Sequence, residues 1–222
     1  MPMSQTSDYV ARLRKIDCCA VSDALDNLKL EGVVSGLPQR SGEGRIAGQA
    51  ITVKLGVGSP SGDKPRHLCT TAIESGGPDN IIVVEQRSGI EAGSWGGLLS
   101  LGARTRGIAG VVLEGPARDI DQSIEMKFPV FARSLTALTA RGRIVEIANN
   151  VPVSIGNIIV SPGDYVIADR SAVIIIPKYE IGRVLPVAER IAAKEDAMAK
   201  DIAEGQPISV VMGGNYEHML DH

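Results

Sequence analysis

Two apolar runs, Asn80–Glu85 (NIIVVE) and Ile108–Leu113 (IAGVVL), stand on either side of a helical segment in this chain. Runs that are apolar on both faces suit strands buried on both faces, as in a parallel sheet covered by helices. The connecting segment supplies the crossover. A glycine turn at Gly96-Gly97 opens a helix with Leu98-Leu99 that reaches about Arg106. The middle of the chain therefore has βαβ character and predicts an α/β fold.

The flanks add elements of other kinds. Ser7 or Asp8 is placed to cap an opening helix that runs towards Lys29, with Val21-Ser22-Asp23-Ala24-Leu25 inside it or at a break. Arg45–Leu55 reads as a strand between glycine-spaced loops at Gly32–Gly44 and Gly56–Lys64. His67–Ser75 reads as a short helix and Pro129–Arg133 as a strand. Arg143–Pro177 breaks into short β segments separated by turn residues, and a helix over Lys178–Glu204 closes the domain. No linker or repeat interrupts this order, so residues 1–222 form a single domain with a polar tail from about 205.

Composition narrows the function. The 222 residues are 44% hydrophobic and 22% charged, enough for a real core. Aromatics are only 3%, which argues against the stacking platforms that hold single-stranded nucleic acid. A formal net charge of -3 with no basic block gives no footprint for DNA, RNA or an anionic membrane. Cys18, Cys19 and Cys69 have no CxxC spacing and read as thiols of a reducing cytoplasm. No run approaches the ~20 residues of a membrane span, so the expected location is cytoplasmic.

The chemistry gathers after the second apolar run. Glu114-Gly115-Pro116-Ala117 reads as a turn that delivers Arg118 beside Asp119. A guanidinium can grip a carboxylate with two bonds, and a neighbouring carboxylate can hold a hard divalent cation. The alternative is an ordinary loop salt bridge. The glycines at 96 and 97 allow close approach to a ligand, and the N–H groups of the helix start favour an anion. The alternative there is a helix entry made for packing. Glu195 shares a face with Val187, Ile191, Met198 and Ile202 on the last helix. A carboxylate on that stripe suits a general base or an interfacial ion pair. His67, His218 and His222 lack metal-ligand spacing, and nothing singles out Lys54 as a Schiff-base lysine.

Taken in order, several short segments resemble the family of 4-hydroxy-4-methyl-2-oxoglutarate (HMG) aldolases and regulators of ribonuclease E activity, the RraA-like proteins. They are Val21–Leu25, Arg45–Ala50, Trp95–Leu99, Arg106–Val112, Gly115–Asp119, Pro129–Arg133 and Gly163–Asp169. The resemblance spans about Val21 to Glu204. It implies a four-layer α/β/β/α sandwich of the swivelling β/β/α type, assembled as a homotrimer or hexamer with sites between subunits. It also implies a lyase that uses Mg²⁺ or Mn²⁺ to cleave a 4-hydroxy-2-oxo acid, or to decarboxylate oxaloacetate, through pyruvate enolate. By the same resemblance Asp119 binds the metal through a water-rich shell, and Arg118 holds the substrate's keto and carboxylate oxygens. The N–H groups of Leu98 and Leu99, in the Gly96–Leu99 turn, receive the pyruvyl carboxylate. Glu195 matches the acid lent by a neighbouring subunit.

One position departs from the pattern. The aldolases carry Asp or Glu where this chain has Gly97. Glu91 is the candidate substitute, and Glu114 stands where Asp is common. The departure leaves open a different keto-acid substrate, or a non-catalytic regulatory binding protein.

Overall fold

The computed structural model describes residues 5–58 and 66–213. His218, His222, the N-terminal residues 1–4 and most of the expected loop to Lys64 lie outside the described residues. The first half of the chain contributes α1 (Gln5–Leu13), α2 (Cys18–Asn27), β1 (Val33–Val34), β2 (Gln39–Ser41), β3 (Ile46–Gly56), α3 (Thr70–Ser75), β4 (Asn80–Gln86), α4 (Gly97–Thr105) and β5 (Gly110–Ala117). The second half contributes α5 (Ile120–Glu125), β6 (Val130–Leu135), β7 (Val145–Asn149), β8 (Val153–Ile155), β9 (Ile158–Val160), β10 (Tyr165–Ala168), β11 (Val173–Ile176), α6 (Ile181–Ala203) and α7 (Ile208–Val211).

Strands pair in the order β1-β11-β10-β3-β4-β5-β6-β2, with β7 on the far end of β3 and β8–β9 as a separate hairpin. The central four, β3 to β6, are parallel and the outer pairings are antiparallel. Strand β3 is long because it serves two partners along one edge: β10 pairs with Ile46–Gln49 and β7 with Val53–Gly56.

Three apolar clusters hold this mixed α/β fold together. Alternation along each strand sends successive side chains to opposite faces. Ile82, Val84, Val111 and Leu113 therefore pack under α3 and α4 (Ile73, Leu99, Ala103). Ile81, Val83, Val112 and Phe131 point the other way and meet Val166, Val173 and Ile175 of β10 and β11. The opposite faces of β10 and β11 (Ile167, Ile174, Ile176) pack on α1, α2 and α6 through Leu13, Leu25, Leu185 and Ile191. No helix among the described residues is long and apolar enough to cross a membrane.

Several expectations are corrected. The opening helix is two helices: the first ends at Leu13, and Asp17 caps the second by accepting from the Ala20 N–H at 2.8 Å. Ser7 and Asp8 lie inside the first helix, not at its cap. The Gly32–Gly44 loop contains the two short strands β1 and β2. The stretch Glu114–Ala117, expected as a turn, continues β5: Pro116 and Ala117 pair with Ser134 and Leu135 after an irregularity in register. Helix α5 was absent from the pattern. Six residues reading IDQSIE carry too little periodicity to announce a helix.

Candidate functional site

The carboxyl ends of parallel strands are where ligands bind in open α/β sheets, and this chain has its cleft there. When β4 ends at Gln86, the loop after it returns as Ser94-Trp95 and takes its place beside β5. Ser94 N–H donates to Pro116 O at 2.8 Å, and Arg118 N–H donates to Trp95 O at 2.9 Å. This short pairing fixes Arg118 and Asp119 against the glycine turn. The cavity has a volume of about 180 Å³ and is lined by His67, Leu68, Gly93, Trp95, Gly96, Gly97, Leu98, Leu99, Arg118, Asp119, Thr139, Ala140 and Arg141.

The glycines form a bare floor. A Cβ on Gly93 would stand 2.8 Å from Arg118 Cγ and Cδ, and one on Gly96 would stand 2.8 Å from Asp119 Oδ2. A Cβ at either position would push those side chains aside, so as they stand each glycine makes room for one charged side chain. Asp119 sits at φ +52°, the left-handed region that Asp tolerates better than most side chains. Its carboxylate accepts from Arg118 Nε at 3.2 Å and from the Gly97 N–H, at the start of α4, at 3.3 Å. The ion pair is about one-third exposed on both sides. The next N–H groups, of Leu98 and Leu99, belong to the first turn and have no carbonyl one turn back inside the helix. The helix ladder begins with Ser100 N–H donating to Gly96 O at 3.0 Å.

Behind this floor, Trp95 is buried. Its indole N–H donates to Ser100 Oγ at 2.9 Å, which lies 2.8 Å from Ser123 Oγ. Its ring stacks on Phe128 at 6.2 Å. This chain of contacts locks α4 and α5 together beneath the cleft.

The structure brings Gly96, Gly97, Leu98, Leu99, Arg118 and Asp119 into one cavity. Leu99 is buried, while Leu98 is 84% exposed. Glu195 lies elsewhere in the chain, on the outer part of α6, where it faces Asp17 and Asp23 of α2. Its carboxyl is held above the ordinary range by burial first, and then by the charges of Asp17, Asp23 and Asp196. The apolar stripe of α6 is Ile181, Val184, Leu185, Ala188 and Ile191; Ile202, expected on it, is exposed.

Glu91 is not part of the cavity lining. Its carboxylate is exposed and accepts from Thr136 Oγ at 2.8 Å. Glu114 turns to the other side of the sheet, pairing with both nitrogens of the Arg133 fork at 2.9 and 3.0 Å and accepting from the Gly156 N–H at 2.7 Å. Lys54 is paired with Glu85 at 3.3 Å. Cys18 and Cys69 are buried and Cys19 exposed, all as free thiols. Burial is the main cause that pushes the Cys18 and Cys69 thiols up, away from reactivity.

Sequence reasoning missed Thr139, Ala140 and Arg141, which reach the cavity from the loop before β7, and it underrated His67. Loop residues carry no periodic signal, so only the path of the chain reveals them. A divalent cation finds one carboxylate here, that of Asp119, and among the described residues no group of three or more ligating side chains. This donor set fits Mg²⁺ or Mn²⁺ that keeps most of its waters, and does not fit an all-protein cage.

The chain is similar to known proteins in sequence and in fold. A protein named "Putative 4-hydroxy-4-methyl-2-oxoglutarate aldolase" from Halalkalibacterium halodurans is 32% identical over 204 residues, covering 91% of this chain and 92% of its own. The crystal structure of an uncharacterized protein from Pseudomonas syringae pv. tomato superposes with a TM-score of 0.81 at 26% identity, over 95% of this chain and 94% of that one. Streptomyces coelicolor RraAS2, described as an unusual member of the RNase ES inhibitor RraA family, shares the fold with a TM-score of 0.75 at 20% identity, over 93% of this chain and 100% of that one. The family model described as RraA-like, aldolase/RraA, matches residues 18–175. That span includes the glycine floor, Arg118 and Asp119, and the chain belongs to the RraA-like family.

Proposed function

We propose that this protein is a divalent-metal-dependent lyase acting on a small 2-oxo acid, by retro-aldol cleavage of a 4-hydroxy-2-oxo acid, by decarboxylation of oxaloacetate, or by both. The observation that carries the reading is the Arg118–Asp119 pair, seated on Gly93 and Gly96 at the amino end of α4. The aldolase name of the Halalkalibacterium relative supports it.

A bound Mg²⁺ or Mn²⁺ would supply Lewis acidity at the keto oxygen. Asp119 would hold that ion through its carboxylate and the waters around it. Arg118 would grip the keto and carboxylate oxygens of the substrate and stabilise the negative charge that grows as the C–C bond breaks. The N–H groups of Leu98 and Leu99 would take the carboxylate at the positive end of the helix. Trp95 and Leu99 close the wall behind and keep water from that side. Cleavage leaves pyruvate enolate, which needs one proton at carbon, and retro-aldol cleavage must also remove one from the 4-hydroxyl. Glu195, with its carboxyl held above the ordinary range, is the residue we assign to proton transfer in a neighbouring subunit's site. That role requires an assembly, and we assign a homotrimer, or a hexamer of two trimers. The three apolar clusters support a reading of the fold as helices, sheet, sheet and helices in four layers.

Pyruvate release, coupled to NADH oxidation by lactate dehydrogenase, tests the reading with oxaloacetate and with 4-hydroxy-4-methyl-2-oxoglutarate, each with Mg²⁺, Mn²⁺ or chelator. Wild type is expected to release pyruvate faster than the enzyme-free control only with metal. Asp119→Asn, which keeps a side chain suited to the left-handed backbone, is expected to lose at least about 100-fold while melting within a few degrees of wild type. Full metal-dependent turnover in that variant would remove Asp119 from the mechanism. No pyruvate from either acid would favour a regulatory binding protein of the RraA kind, or a different keto acid.

A further inference from the structure

The glycine floor has a third member. A Cβ built on Gly97 would overlap Gln122 Oε1, and would stand 2.7 Å from Gln122 Cδ and 3.1 Å from its Cβ. Gly93 makes room for Arg118, Gly96 for Asp119, and Gly97 for Gln122. The place of Gln122 on α5 follows from its neighbours: Asp119 turns the chain into α5, and the buried Ser123 ties α5 to Ser100 of α4 at 2.8 Å.

We propose that the carboxamide of Gln122 occupies the place of a side chain at residue 97 and so sets the charge of the site. A carboxylate at 97 and Gln122 in this position exclude one another. With the neutral amide there, Asp119 is the one carboxylate among the cavity residues, which include two arginines, its ion-pair partner Arg118 and Arg141. The site therefore holds a cation with one carboxylate instead of two and keeps a surplus of positive charge for an anionic substrate. Gln122 is a specificity-determining residue on this account. The inference deepens the lyase reading and rests on it for the identity of the site, but its test does not use turnover.

The experiment compares wild type, Gly97→Asp, Gln122→Ala and the double variant by thermal melting and by titration with Mn²⁺ alone, read from the emission of Trp95, the single tryptophan of the chain. Gly97→Asp alone must swing the exposed carboxamide aside and press on the Gln122 Cβ, and is expected to lower Tm by about 3 °C. Gln122→Ala alone should shift it by no more than about 2 °C, since the residue is exposed. The double variant should recover at least half of the loss and bind Mn²⁺ about tenfold more tightly than wild type, because two carboxylates then share the site. Strictly additive Tm shifts, or a Gly97→Asp protein as stable as wild type, would overturn the shared slot. Equal Mn²⁺ affinity in wild type and double variant, or no binding to either, would overturn the role in setting charge. Failure of the lyase reading would show instead as absent pyruvate release, with the melting coupling intact.

Discussion

Glu195 shows how one residue can work against the stability of its own chain. It lies on the face of α6 that continues from Ala188 and Ile191, where α2 brings Asp17 and Asp23 towards it. Burial and these like charges raise its folded-state pKa above that of the unfolded chain. An acid with a raised folded pKa favours folding below its unfolded value, and loses that contribution as pH rises through the folded value. Glu195→Gln is therefore expected to raise Tm at pH 7 and to leave it unchanged near pH 4, a difference that differential scanning calorimetry at the two pH values reads directly. A lower Tm at pH 7 would mean that Glu195 has a stabilising partner. A gain in stability joined to a loss of pyruvate release would be the trade expected of a functional carboxylate. Asp169 has the opposite sign. Burial opposes its charge, but N–H donors from Cys18 and Ser171, at 2.9 and 2.8 Å, outweigh burial and lower its pKa.

At the scale of elements, α4 and α5 matter most, because the Arg118–Asp119 pair hangs between them. Their coupling is a three-member chain, Trp95 Nε1 to Ser100 Oγ to Ser123 Oγ, in which all three residues are buried. Ser100→Ala leaves the indole N–H and the Ser123 hydroxyl without this partner. It is expected to cost about 1–3 kcal/mol, lowering Tm by roughly 3–10 °C, and to shift the emission of Trp95. Unchanged melting and emission would show that α4 and α5 dock by apolar packing alone. At the other end of the molecule, α1 is clamped to α6 by both arms of the Arg12 guanidinium on Glu189, at 2.8 and 2.7 Å. Helix α4 was legible because its glycine entry and Leu98-Leu99 stand between two apolar runs. Helix α5 was not. It begins at a left-handed Asp119 and gains its stability from Ser100 and the floor of α4, which are distant in sequence.

At the scale of the whole molecule, the two sides of the fold are joined where β4 and β5 meet the β8–β9 hairpin. Glu85 and Glu114 are register partners on adjacent parallel strands. Glu85 accepts from the Ser154 N–H at 2.5 Å, and Glu114 accepts from the Gly156 N–H while it pairs with Arg133 of β6. A carboxylate with a bidentate partner and little exposure cannot be removed without leaving its donors unpaired. Glu114→Ala is expected to destabilise by about 2–4 kcal/mol and to raise amide exchange at Gly156 before the rest of the sheet. Slow exchange at Gly156 in that variant would assign the hairpin's hold to Val153, Ile155 and Val160, its members of the middle apolar cluster.

The amino-acid sequence by itself determined the α/β class, the parallel centre and the neighbourhood of Arg118 and Asp119. Each is a local matter: apolar runs of strand length, a glycine helix entry and a motif within a few residues. Tertiary structure alone decided the rest. It placed Arg141 and His67 on the cavity, turned Glu114 away to the hairpin, left Glu91 on an exposed loop, and set Glu195 among the acids of α2. The meaning of Gly97 also waited for the fold. In the sequence it was a missing acid, while in three dimensions it is the space that Gln122 fills. The physical reason is the same throughout: periodicity is written in neighbours along the chain, but the volume, charge and partners of a site come from residues brought together across it.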